Sequence, residues 1–549
     1  MSNHLLMPAA EVNVPYARNG SASRSTTGVN PYTGAFGKAE LVHLLKRTMF
    51  GATQADIDYF TGKTLAQVVA ELLTLGTPPA PPVKAYVNIN DDANVPYGQT
   101  WVNAPYMPLA VADRTISLKA WWFGQMVNQG RSIEEKMVLC FHNHFSTASK
   151  TYQDGRYGYK YLSSIRQNCL GDFKALTKAM TLEPAMLDYL NGHFNRVGAP
   201  DENYARELQE LFTVGKDLNP HFTEPDVVAA AKVLTGYQKH ITNISYVFNP
   251  ARHDSSDKTF SSFYNNTVIT GRSGNAGQDE LDDLLTMIFA HPEVARNVVR
   301  RIYRFFVYYK IDATVEANVI VPLADTFRNN GYQIKPMLEQ LFMSEHFFDM
   351  LNRSCFIKPS VDFLVSFSRE LKLDFPTLPA DLATLYDMWF VAESYANAMQ
   401  QDLLDPPAVA GWPAYYQLPS FHRVWINTDT LPKRNQFTDF LLYVGYTKNG
   451  KKLIVDPIAF VSQFSAPSDP NLLLNEMLDL LITFQVSTTI KQFLKTYGLL
   501  SGLTQDYYWT NAWNDYINNP TDAANKQIVV QRLQNVLKYI MNLPEYQLS

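Results

Sequence analysis

Cysteine is scarce: the 549 residues hold three, Cys140, Cys169 and Cys355. Their spacing fits no metal-binding pattern, and three thiols cannot build a disulfide framework. Long apolar runs are missing as well. Stretches such as 477–484 are interrupted and fall far short of the ~20 residues that span a bilayer. Charge of one sign is not in excess, since 47 Lys and Arg stand against 52 Asp and Glu. That balance argues against a general nucleic-acid binder. The chain lacks GxxxxGKS/T, GxSxG and HExxH, and has no convincing GxGxxG after a strand, so nucleotide-driven and serine-hydrolase mechanisms have no support. The opening residues show no basic segment followed by an apolar one. The sequence therefore predicts no secretory signal and a cytoplasmic address, with partner-dependent export as the other route.

Apolar residues are plentiful at 46%, and aromatics reach 13%, enough for a sizeable core. Helical spacing dominates. Helices are predicted over 38–50, 64–75, 113–128, 201–214, 279–290, 292–308, 316–330, 334–345 and 358–371, with two or three between 160 and 190 and three or four between 470 and 542. Thr53, Ser132 with Glu135, and Thr223 with Asp226 read as helix starts. Residues 83–108 and 404–423 read as long loops, and ITNISYVF alternates like a strand. The fold class is mainly α: a large multi-helix domain with long loops and a small β-hairpin or irregular insertion at 241–275. The predicted organisation is a flexible arm at 1–37, a helical core at 38–440 and a helical C-terminal extension at 441–549.

Four segments could carry chemistry. His142 and His144 form an HxH pair. On a regular helix they sit ~200° apart and cannot share one ion; in an extended segment they could. If the helix continues, His144 joins a buried stripe and His142 faces outward. In the second segment, Glu202, Arg206 and Glu210 form an i, i+4, i+8 ladder, with Asn203 at its start. Glu207 lies beside the apolar stripe, where burial would raise its pKa and suit it to ligand or base duty. The bland alternative is a salt-bridge ladder. The third segment, His253-Asp254-Ser-Ser-Asp257-Lys258, sits in the irregular insertion. It lines a polar pocket or merely closes an Asx-turn. In the fourth, 405–413, Trp412 is a plug in an apolar socket with its indole N–H satisfied, or a substrate-stacking wall. A basic stripe, Arg296, Arg300, Arg301 and Arg304, would receive an anion or pair with neighbouring carboxylates.

Together LLKRTMFGAT (44–53), EKMVLCFHNHFST (135–147), LGDFKALTKAMTLEPAMLDYLN (170–191), ENYARELQELFTVG (202–215), FTEPDVVAAAKVLTGY (222–237), HDSSDK (253–258), PPAVAGWP (406–413) and LPEYQL (543–548) resemble the bacterial domain-of-unknown-function family 1800. The resemblance runs from about 40 to 440, with a trace at the C-terminus. It implies no established activity. It does imply frequent export and genes that often neighbour a sulfatase-like family. Phe212 stands where many members have His, and Asp201 departs from the usual Asn-Glu-Asn start. The shared polar signatures point to a common site.

Two readings follow. In the first, the chain is a metal-dependent enzyme, hydrolase or oxidoreductase. His142, His144 and His253 hold a divalent transition metal, Glu207, Arg206 and Lys258 act on the substrate, and Glu202, Asn203, Glu210, Asp254 and Trp412 help bind it. In the second, the same residues are structural, and the protein assembles with the sulfatase-like neighbour or with itself as a homo-oligomer.

Overall fold

The computed structural model describes residues 28–87, 92–216, 221–377 and 381–549. Most of the predicted arm, residues 1–27, lies outside them. Residues after Gly28 lie against the body: the Tyr32 N–H donates to the Met343 carbonyl at 2.8 Å.

Helices build the molecule, and the sheets among the described residues are three two-stranded hairpins. Tyr237–His240 pairs antiparallel with Ser245–Phe248, so the alternating ITNISYVF stretch forms a turn and the returning strand. The rest of the insertion is short 3-10 turns and a second, two-residue hairpin. Most predicted helices form, and two of the three predicted starts are capped as expected. Thr53 and Thr223 each close a capping box, with Asp56 and Asp226 three residues on. In the predicted loop at 83–108, of which residues 88–91 lie outside the described ones, Trp101 is buried and Asp92 pairs with Arg114. No helix among the described residues is long and apolar enough to cross a membrane.

Three expectations need correction. The helix Glu134–His144 starts after Ile133, and Glu135 does not reach back to cap it. Its carboxylate turns inward, where Arg166 grips it through two hydrogen bonds of 2.8 and 2.9 Å and the Trp122 indole donates at 3.0 Å. Ser132 caps Glu134 alone. Second, His142 does not face outward; every residue of this helix after Glu134 is buried. A helix enclosed on all sides has no outer face, so the stripe argument did not apply. Third, Leu382–Ala398 is a long helix that periodicity did not single out. It packs on Val111–Val127, and Trp389 lies flat on Gly124, where a Cβ would come within 2.6 Å of the indole.

Candidate functional site

The C-terminal end of the Glu134–His144 helix is the meeting point of three signature segments. His142 and His144 point to different surroundings, as their helical spacing requires.

His142 sits among Trp122, Tyr161 and Trp412, with ring centroids 5.3–5.7 Å away. The Tyr161 hydroxyl gives its only proton to the Phe145 carbonyl at 2.6 Å, so at 3.0 Å it accepts from Nδ1–H of His142. That sets the tautomer and leaves Nε2 as a buried lone pair. Burial pushes the imidazole down to about 3, so it is neutral at physiological pH.

His144 is the mirror case. Its Nε2 lies 3.0 Å from the Phe212 carbonyl, which only accepts, so Nε2 carries the proton and Nδ1 is the bare lone pair. Burial, then the nearby Arg301 charge, hold this imidazole well below its ordinary pKa. His144 lines a narrow cleft with Asn143, Arg301, Ala410 and Tyr416. About 20 Å³ is free there, room for little more than one water. Asn143 is oriented by the fourth segment: its Oδ1 accepts the Trp412 backbone N–H at 2.8 Å, which leaves the Nδ2 donors without a hydrogen-bond partner among the described residues. Gly411 makes this approach possible. Its φ is +89°, and a Cβ there would lie 2.3 Å from Asn143 Oδ1.

The second segment supplies the Phe212 carbonyl through a local irregularity. The helix that begins at Asn203 passes into a π-helical turn over Leu208–Phe212. Gln209 pins the turn, accepting from the Tyr264 hydroxyl at 2.8 Å. Glu207, just before it, is half-buried and makes no hydrogen bond or ion pair among the described residues. Burial, then the Glu210 charge, raise its carboxyl above the usual glutamate value, while Arg301 acts on it as it does on His144.

The remaining sequence candidates lie outside this cleft, in contacts of their own. Arg206 pairs with Glu202 at 3.2 Å, Glu210 at 3.8 Å and Glu224 at 2.6 Å, the ladder alternative, with Asn203 exposed beside it. Arg300 of the basic stripe pairs with Glu293 and Glu316. Asp254 closes an Asx-turn on Ser256. His253 contacts Glu280 at 3.1 Å and Lys258 contacts the same carboxylate at 2.5 Å, all three fully enclosed. Trp412 is buried as a plug, but its indole N–H has no partner among the described residues, against expectation. The metal donors expected from sequence do not converge. Among the described residues no three His, Cys, Asp or Glu side chains are placed to hold an ion.

Sequence reasoning missed the network behind the cleft wall. The buried Lys119 ammonium meets Asp402, and Asp405 at 2.7 Å. Asp405 also accepts from the Ser149 hydroxyl at 2.6 Å and the Lys150 N–H at 3.0 Å. Burial alone would raise Asp405; Lys119 and these donors hold it below its ordinary value. Glu393 faces the same lysine, and burial raises it to about 7. The Asp-Pro-Pro sequence was the visible signal, yet neither Lys119 nor Glu393 stands out by position.

Glu393 sets an expected pH dependence. Its folded-state pKa lies above the unfolded value near 4.5, so its contribution is complete below about pH 4.5 and is lost as pH rises through about 7. Glu393→Gln should remove up to about 3 kcal/mol of that decline. Urea midpoints at pH 5 and pH 8 measure it: wild type should lose more stability than the variant over this interval. Parallel declines would count against a raised Glu393.

The fold and cleft define a large mainly α protein with a neutral, tautomer-locked histidine at the end of a buried helix. The chain belongs to the family described as protein of unknown function (DUF1800), whose sequence model matches residues 43–548. The match runs through the C-terminal helices, beyond the 440 at which the motifs thin out. Comparison with curated proteins and with solved structures gave no match.

Proposed function

We propose that this protein is a hydrolytic acid–base enzyme working at the Asn143–His144 cleft. The observation that carries the reading is the locked His144 tautomer, which leaves Nδ1 unprotonated on a residue that lines a cleft with room for one water. A water there would donate to Nδ1 and accept from Asn143 Nδ2. As its oxygen attacks the substrate, its proton passes to Nδ1. Glu207 does not line the cleft, but its half-buried carboxyl, raised above the ordinary glutamate value, would take the opposite task and give a proton to the leaving group. The guanidinium of Arg301 favours the negative charge that develops between these two groups. Among the described residues no three His, Cys, Asp or Glu side chains are placed to hold an ion, so this reading is built on side chains.

The test is a panel of ester, phosphoester, glycoside and amide substrates. His144→Gln keeps an N–H for the Phe212 carbonyl and removes the lone pair; Glu207→Gln keeps the shape and removes the acid. Any wild-type activity should fall at least ~100-fold in each variant with unchanged unfolding midpoints. Activity that survives both changes, or stoichiometric metal in protein purified without a metal-affinity tag, would overturn the reading.

A second reading is a scaffold that binds a sulfatase-like partner or a second copy. It is favoured by apolar side chains exposed around the first hairpin, Phe194, Ile241, Tyr246 and Val247. A monomeric elution volume and no co-purifying partner would remove it.

A further inference from the structure

The opposite end of the Glu134–His144 helix, roughly 15 Å from the cleft at 1.5 Å per residue, borders a separate groove of about 240 Å³. Pro78, Pro79 and Tyr159 wall it, and Glu134 and Arg166 sit at its base. One carboxylate oxygen of Glu134, Oε2, accepts the Gly76 N–H at 2.9 Å. The other, Oε1, has no hydrogen-bond partner among the described residues. The nearest cation, Arg166, is 3.9 Å away through Nε. Its guanidinium is committed elsewhere, bound twice to Glu135 and stacked 5.4 Å from the Trp121 ring centroid. The Tyr159 hydroxyl also has no hydrogen-bond partner among the described residues.

Charge decides what fits. Arg166 is taken up by Glu135, which it grips twice, and among the described residues no other cation lies within 4 Å of the Glu134 carboxylate. Burial, and then the Glu135 charge, push Glu134 above the ordinary glutamate value. Its place in the first helical turn opposes that rise and favours the ionised form. A positively charged guest would restore what burial removes. The walls set its shape: two rigid proline rings and a tyrosine ring suit a slim alkyl body, and an ammonium head beside an aromatic ring gains a cation–π term.

We propose that this groove binds a small organic ammonium ion, its N–H groups directed to Glu134 Oε1 and the Tyr159 hydroxyl and its alkyl body against Pro78 and Pro79. The proposal is independent of the chemistry assigned to the cleft.

Saturation-transfer NMR with n-butylammonium, and with n-butanol as its neutral counterpart, tests it. Wild type should bind the ammonium and not the alcohol. Glu134→Gln, which keeps the acceptor for the Gly76 N–H, should weaken binding at least about tenfold with an unchanged unfolding midpoint. Tyr159→Phe should weaken it less, and lowering the pH until Glu134 is protonated should abolish it. Three results would overturn the proposal: no ammonium binding up to about 50 mM, equal binding of butanol, or undiminished affinity in Glu134→Gln.

Discussion

Lys119→Met should cost roughly 3–5 kcal/mol of stability, although methionine fills nearly the same volume. The reason is what the change leaves behind. Asp402 and Asp405 are buried and depend on the Lys119 ammonium. Without it they keep one outside cation, Lys150, which pairs with Asp402 at 3.1 Å but is 73% exposed. Burying a charge is tolerable when it is paired, and removing one partner exposes the whole desolvation cost of the other. The network also ties Asp405 to Ser149 and the Lys150 N–H, and so anchors the segment whose Gly411 and Trp412 close on Asn143. The variant should therefore lose cleft geometry along with stability. Urea midpoints give the first effect, and hydrogen exchange over 402–413 the second. Lys150→Met is the control and should shift the midpoint by less than about 1 kcal/mol. A Lys119→Met cost as small as that control would mean that the network does not hold the segment.

Glu280→Gln should cost a similar amount, roughly 3–5 kcal/mol, at a different place. Glu280 accepts from the Arg272 N–H at 2.6 Å while meeting both His253 and Lys258, and no part of it reaches solvent. An amide keeps its size and can still accept from Arg272. It cannot balance an enclosed lysine, which then has the Asp254 carbonyl as its remaining partner. The insertion should loosen between 253 and 272, visible as faster hydrogen exchange there with slow exchange retained in the Glu134–His144 helix. By contrast, Glu224→Gln, on the exposed side of the Arg206 ladder, should leave stability essentially unchanged. If Glu280→Gln behaves like Glu224→Gln, the His253–Glu280–Lys258 cluster is not a structural knot.

The two outcomes bear on why the motifs were easier to see than to interpret. His253 and Lys258 were recognisable as a polar pair, but the acid that completes them lies 22 residues beyond Lys258, at the start of a helix. Asp405 stood out beside its prolines, whereas Lys119, 286 residues away, looked like any lysine on an amphipathic helix. Long-range ion pairs leave no local spacing to read. The reverse error occurred at Ser132 and Glu135, where correct capping-box spacing was overridden because Arg166 and Trp122 offer Glu135 a better-bonded buried site.

What the sequence determined by itself is the class of structure and most of its parts. Apolar spacing, threonine caps and proline breaks are local, and the backbone answers to them within a few residues, so helices, loops and the small hairpin were legible. The direction in which each polar side chain works was decided only by the tertiary structure. His142 and His144 differ by one intervening residue, yet one gives its Nδ1 proton to a tyrosine and the other its Nε2 proton to a π-turn carbonyl. The partners lie 19 and 68 residues away and meet the histidines only when the helices pack around the Glu134–His144 helix. Which nitrogen keeps a lone pair, and whether it opens on a cleft, depends on that packing.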